Sequence, residues 1–208
     1  MKKGTSGSKK KKIVEIDEEK NQQNKERIIE ATIVVFNKKG IKFTMDDVTK
    51  EINMSKKTLY NTFKDKSDLF TSIVDYCFDK IKESEQQVIE DDSLDTVEKL
   101  RKLLGAMPDA YQNINFEELH ILRDKYPKIY DKVKNRIETG WDSTIELIEK
   151  GIEEGVLRPV NTLIVKSMFE STLEKFFQND ILLQCNMSYS EGLSEVVNLM
   201  VDGMKVQK

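Results

Sequence analysis

The stretch FTMDDVTKEINMSKKTLYNTFKDKSDL, residues 43–69, decides the fold. Thr44 is a good helix N-cap, and Asp47, three places on, supplies the acid of a capping box. Val48 and Ile52 fall four apart and share one face of the short helix that follows. Asn53-Met54-Ser55 then interrupts the pattern. Asn tolerates the left-handed backbone conformation, so Asn53 turns the chain sharply, and Ser55 caps a second helix over 56–63. Helix, tight turn and helix within about twenty residues is the helix-turn-helix spacing. Leu59 and Phe63 lie at i and i+4 and face inward. Lys56, Lys57, Thr58, Tyr60, Asn61 and Thr62 are left outward, where they can donate to phosphates or bases. Lys56 and Lys57 sit at the positive end of a helix, a place that an anion would relieve. Two ordinary solvated lysines are an equal reading.

A second turn follows. Asp65 or Ser67 caps another helix, whose apolar face runs through Leu69, Phe70, Ile73, Val74, Cys77, Phe78 and Ile81 to about Ile89. Lys66, beside that helix N-terminus, suits a phosphate contact. Upstream, Ile28, Ala31 and Val35, with Ile29, Ile33 and Phe36, give an apolar face of helical period from Gln22 onward. Lys38, Lys39 and Gly40 end it, with cations in the last turn and then a residue free to take positive φ. Before it, residues 1–20 read as a flexible basic tail: small residues that pack no core, then lysines 9–12 that repel one another. That run is either simply solvated or a weak phosphate-binding arm.

The rest of the chain is helical too. Candidate helices cover about 94–113, 115–124, 127–154, 161–180 and 189–206. Asp91-Asp92-Ser93 marks a break and Pro108 a distortion; Pro127 opens a helix at its first turn. Gly151, Gly155 and Arg158-Pro159 close the long one, and the Gly151/Gly155 spacing reads as a helix stop rather than a packing motif. Composition agrees with an all-α class: of 208 residues only 3 are Pro and 9 Gly, with 34% charged and 38% hydrophobic. No apolar run approaches the roughly 18 residues of a membrane span. Cys77, Cys185 and the single His120 exclude a Cys/His zinc cluster and a disulfide scaffold, which points to a reducing cytoplasm. Residues 1–80 carry 18 Lys+Arg against 13 Asp+Glu, and the remainder 16 against 24. With the tail's lysines set aside, residues 21–80 are nearly balanced. Placement of a few cations, not net charge, therefore carries the case for a polyanion partner.

Taken in order, Arg27-Ile28-Ile29-Glu30-Ala31, Phe36, Gly40, Thr44, Val48, Asn53-Met54-Ser55, Thr58-Leu59-Tyr60 and Phe63-Lys64-Asp65-Lys66-Ser67-Asp68-Leu69 resemble the DNA-binding domain of the TetR family of bacterial transcriptional regulators. The resemblance covers about residues 21–81. It implies an N-terminal three-helix helix-turn-helix domain at 21–81 and a C-terminal helical ligand-binding and dimerisation domain at 82–208. It implies a homodimer on the double-stranded DNA of a near-palindromic operator, contacted by Thr44, Ser55, Lys56, Lys57, Thr58, Tyr60, Asn61, Thr62 and Lys66. It also implies a repressor, released when a small-molecule effector moves the long helix that starts near Ser67.

An apolar pocket with a few polar groups is the usual small-molecule site. Candidates for it are Phe116, His120, Trp141, Phe169 and Phe176, among the wider aromatic set of Tyr111, Tyr126, Tyr130 and Phe177. Each is also a plausible core residue, and His120 reads more readily as structural. Apolar residues of the last two segments (Leu163, Ile164, Met168, Leu173 and Phe176; Leu193, Val196, Val197, Met200 and Met204) are candidates for the dimer face. A second reading gives the C-terminal domain a protein partner instead of a small molecule. A remoter one is an all-helical enzyme, but no phosphate loop, HExxH or GxSxG occurs. No catalytic or metal-ligating residue and no cofactor is expected.

Overall fold

A computed structural model of the chain describes residues 6–107, 120–178 and 181–207. Among these the architecture is all-α, and the extended pairing consists of an isolated antiparallel bridge between Leu157 and Lys205. The chain divides into two compact units, Met1–Ser72 and Ile73–Lys208. The division falls inside one helix, earlier than the boundary at residue 81 read from sequence.

In the first unit, α1 spans Ser6–Lys39, a 3-10 turn covers Gly40–Lys42, α2 is Met45–Glu51 and α3 is Lys56–Thr62. Helix α4, Lys66–Glu90, begins here. The tail expected to be flexible is helical from Ser6 on. Its lysines and glutamates are good helix formers, and extending a helix already docked downstream avoids the cost of a new nucleus. α1 ends as read, with Gly40 at φ +59°. The core is Ile28, Ile29, Val35, Phe36, Ile41, Phe43, Val48, Leu59, Phe63, Leu69 and Phe70, all buried. Phe36, Phe43 and Phe70 pack mutually, with centroids 5.7–6.4 Å apart. Burying each such ring stabilises the unit by roughly 1.5–3 kcal/mol.

In the second unit, α5 is Thr96–Leu104, α6 His120–Lys125, α7 Pro127–Glu138, α8 Asp142–Glu153, α9 Thr162–Gln178, α10 Ile181–Gln184 and α11 Tyr189–Met204. α5 packs on α8 and α11, and α9 packs on α6, α7, α10 and α11. Leu100, Ile129, Ile148, Leu157, Phe169, Val197 and Val201 are among the buried side chains. Pro127 stands in the first turn of α7 as expected.

The single helix read over 127–154 is two helices. Thr139 turns extended after α7 and Gly140 takes φ +77°, which stops one helix before Trp141 caps the next. Lys82 on α4 holds this corner by donating to Gly140 O at 2.8 Å. The Gly151/Gly155 pair is likewise corrected. Gly155, at φ +70°, is the stop. Gly151 is buried within α8, and a Cβ there would stand 2.6 Å from Leu157 Cδ1, so this glycine is a packing residue. α5 ends at Leu104 with Gly105 as its C-cap, short of the expected 113, and the 115–124 reading meets the described chain only at α6. Pro108, Tyr111 and Phe116 lie outside the described residues.

Candidate nucleic-acid interface

The helix-turn-helix is α2, the turn at residues 52–55 and α3. Thr44 caps α2 through a complete capping box: its Oγ1 accepts from Asp47 N, and its backbone N–H donates to Asp47 Oδ2 at 2.9 Å. Asn53 makes the turn at φ +51°, and Ser55 Oγ caps α3 by accepting from Thr58 N at 3.1 Å. Leu59 and Phe63 are 0% and 1% exposed, which fixes the rotation of α3 about its axis. The side chains opposite them face solvent.

Counting hydrogen-bond donors separates the outward residues further. Lys57, Tyr60 and Asn61, spaced i, i+3 and i+4 on one stripe of α3, are exposed. Among the described residues none of the three side chains donates to a protein acceptor. Lys56 is exposed and donates to Asp46 Oδ2 at 2.6 Å. That carboxylate pushes the pKa of the Lys56 ammonium up. Ser55 and Thr58 hydroxyls share one hydrogen bond of 2.8 Å, which leaves one hydroxyl proton between them to offer outward.

Three expected contacts have their donors engaged internally. Thr62 Oγ1 donates to Thr58 O at 3.2 Å. Thr44 Oγ1 donates to Asp47 Oδ2 at 2.8 Å, and its backbone N–H goes to the same oxygen. Lys66 points into the unit. Its Nζ donates to Ile41 O and Phe43 O, each at 2.6 Å, and lies 4.2 Å from the Phe43 ring centroid. The reading of Lys66 as a phosphate-facing cation is corrected by this geometry. Two carbonyls left over where the 3-10 turn ends need donors, and the ammonium supplies them.

Sequence reasoning read Asp47 as the capping-box acid but missed the ion pairs that the acids of α2 make with α1. Asp47 accepts from Lys39 Nζ at 2.6 Å, and Lys39 and Thr44 together hold its pKa well below the usual carboxylate range. Glu51 accepts from Lys38 at 2.9 Å. These pairs tie α2 to α1, and no local pattern announced them.

In the second unit, Trp141 and Phe169 meet edge to face at 5.5 Å, while Trp141 Nε1 donates to Ile137 O at 3.0 Å. Phe176 belongs to a different cluster, 5.9 Å from Tyr189. Phe116 lies outside the described residues; His120 opens α6, and only its backbone is described. Next to Phe169 stands Glu170, unremarked in the sequence. Its buried Oε1 has no hydrogen bond among the described residues, Lys166 Nζ is 3.6 Å away, and burial pushes its pKa up. Close by, Tyr130 O–H donates to Glu174 at 3.1 Å, and Gln178 Nε2 donates to both.

No described helix is long and apolar enough to cross a membrane, and among the described residues no cluster of acids, His and Cys could hold a metal.

The fold and the α2–α3 geometry define an all-α helix-turn-helix protein. Residues 28–73 match the family described as "Bacterial regulatory proteins, tetR family". Over 178 residues the chain is 22% identical to the uncharacterised HTH-type transcriptional regulator YvaF of Bacillus subtilis, covering 86% of this chain and 94% of that one. Over 160 residues it is 25% identical to IcaR of Staphylococcus aureus, a negative transcriptional regulator of the biofilm operon icaADBC, covering 76% and 78%. Among solved structures, a TetR transcription regulator from Haloarcula marismortui shares the fold with a TM-score of 0.68 at 19% identity, covering 89% of this chain and all of that one. Residues 28–73 thus carry a tetR-type N-terminal domain, and the rest of the chain is similar to such regulators in fold.

Proposed function

We propose that the protein is an operator-binding repressor whose α3 reads a major groove. The observation that carries this is the stripe of Lys57, Tyr60 and Asn61, exposed and with side-chain donors not engaged among the described residues. Asn suits a bidentate contact to adenine, Lys a guanine edge or a phosphate, and Tyr a phosphate oxygen. The 21–81 segment acts as the DNA-binding domain and 82–208 as the sensing and dimerisation domain. The negative-regulator name of the staphylococcal relative favours repression over activation. Dimerisation is favoured by large apolar side chains in solvent on α9 and α11: Leu163 is 69% exposed, Ile164 59%, Met168 56% and Leu199 68%. A symmetric pair would bury these and set two copies of α3 against two half-sites. An effector would bind in the cytoplasm, within the second unit, near Trp141 and Phe169, with Glu170 as its polar partner. Released operator would follow from a change in α4.

The test is selection of bound duplexes from random-sequence DNA by the full chain. The expected result is enrichment of a near-palindromic site. Asn61→Ala loses preference at a base position, and Lys57→Ala weakens binding. Failure of the wild-type chain to enrich any sequence would overturn the reading.

A further inference from the structure

The acids of α2 are each held by a lysine, but the lysines come from different places. Asp47 and Glu51 are held by Lys39 and Lys38 of α1, a purely architectural arrangement. Asp46, in the first turn of α2, instead takes Lys56, the first residue of α3, at 2.6 Å. Both side chains lie in solvent, at 64% and 48% exposure, on the helix-turn-helix itself. Its neighbour Lys57 has no ion-pair partner among the described residues. The two adjacent lysines at the start of α3 are thus in different electrostatic states: one is neutralised by a carboxylate of the same motif, and the other is open.

We propose that Asp46 gates Lys56: it holds the ammonium in the free protein and must yield it to a DNA phosphate, so that its charge sets how tightly the head holds duplex of any sequence. The proposal rests on the reading of α3 as the DNA-facing helix. An exposed pair of this kind is weak and easily exchanged. A duplex presents a dense array of phosphates whose condensed counterions are released on contact, which favours the exchange. After it, the Asp46 carboxylate stands unpaired beside the polyanion. Asp46 therefore opposes binding twice, by holding the cation beforehand and by repelling phosphate afterwards. Only the first effect requires Lys56.

That distinction gives the test. The full chain is titrated with a mixed-sequence duplex at low and high salt, as wild type, Asp46→Asn, Lys56→Ala and the double variant. Asp46→Asn is expected to tighten binding by about two- to fivefold at low salt, the range of an exposed ion pair. The gain shrinks at high salt, because the pair is screened. It falls largely away in the Lys56→Ala background. Asp46→Ser, also suited to a helix start, reproduces it. If wild type binds the duplex and neither Asp46 variant binds more tightly, the gate is wrong while the DNA reading stands. If the full gain persists without Lys56, Asp46 acts by repulsion alone and the gate is again wrong. If wild type binds no duplex even at low salt, the DNA reading falls and the gate with it.

Discussion

Lys66 grips Phe43 in two ways. Its ammonium donates to the Phe43 carbonyl at 2.6 Å and lies 4.2 Å from the centroid of the same residue's ring. A third contact, to Ile41 O at 2.6 Å, completes a bracket between the start of α4 and the segment that leads into α2. Lys66→Met keeps the apolar stem and removes the charge and the donors. Part-buried charged hydrogen bonds and a cation–π contact predict a loss of about 1–3 kcal/mol of stability. Denaturant unfolding checks this. The salt slope of DNA binding should stay as in wild type, because this ammonium faces the protein.

Asp47 makes stability depend on pH in a direction that can be worked out. Lys39 and Thr44 depress its folded-state pKa below the ordinary 3.8. A depressed acid contributes stability that is fully present above its unfolded-state value and is lost as pH falls toward its folded-state value. Wild type should therefore exceed Asp47→Asn in melting temperature at neutral pH. The gap should narrow as pH drops below about 4. A gap independent of pH between neutrality and 3 would contradict the assignment.

Gly151 and Gly155 should respond oppositely to their surroundings. At Gly151 an added Cβ would stand 2.6 and 2.8 Å from Leu157 side-chain carbons and 3.3 Å from Thr96 Cγ2. Gly151→Ala is expected to cost about 1–3 kcal/mol by overpacking. In a Leu157→Ala background, itself destabilised by loss of a buried side chain, the added cost of Gly151→Ala should shrink, which a helix-propensity effect would not allow. At Gly155 there is open space, so its cost on substitution comes from φ +70° alone. Gly155→Asn should be milder than Gly155→Val, since Asn tolerates that conformation. Thermal melts of these variants decide the matter.

The exposed apolar side chains of α9 and α11 make a solution prediction. Leu199→Glu and Met168→Glu, each at a position more than half exposed, should leave the fold intact and shift a wild-type dimer toward monomer. Sedimentation at micromolar concentration reads the change. Wild type sedimenting as a monomer would remove the basis for two-headed operator binding.

What could be read from the sequence was local. Thr44, Asn53 and Ser55 act through their own backbone, within three residues, so their caps and turn were legible as written. Leu59 and Phe63 were legible because periodicity places them opposite the polar side of α3. Lys66 was misread because the carbonyls it satisfies are 25 and 23 residues away in the chain. Gly140 went unread because the helical pattern on either side is strong enough to run through it. Gly151 looked like a stop because its packing partner, Leu157, returns only after the turn at Gly155. The polar groups around Glu170 gather from α7 and α9, which no single segment announces.

The chain's one tryptophan, Trp141, lies in the second unit, with its indole N–H on Ile137 O and its ring against Phe169. The first unit has no tryptophan, and its tyrosine is Tyr60, on the outward stripe of α3. The molecule is thus labelled optically by its own sequence. Indole emission follows the second unit without a contribution from the first. The phenol signal is shared, because five of the six tyrosines belong to the second unit, so indole emission is the channel that reports one unit alone.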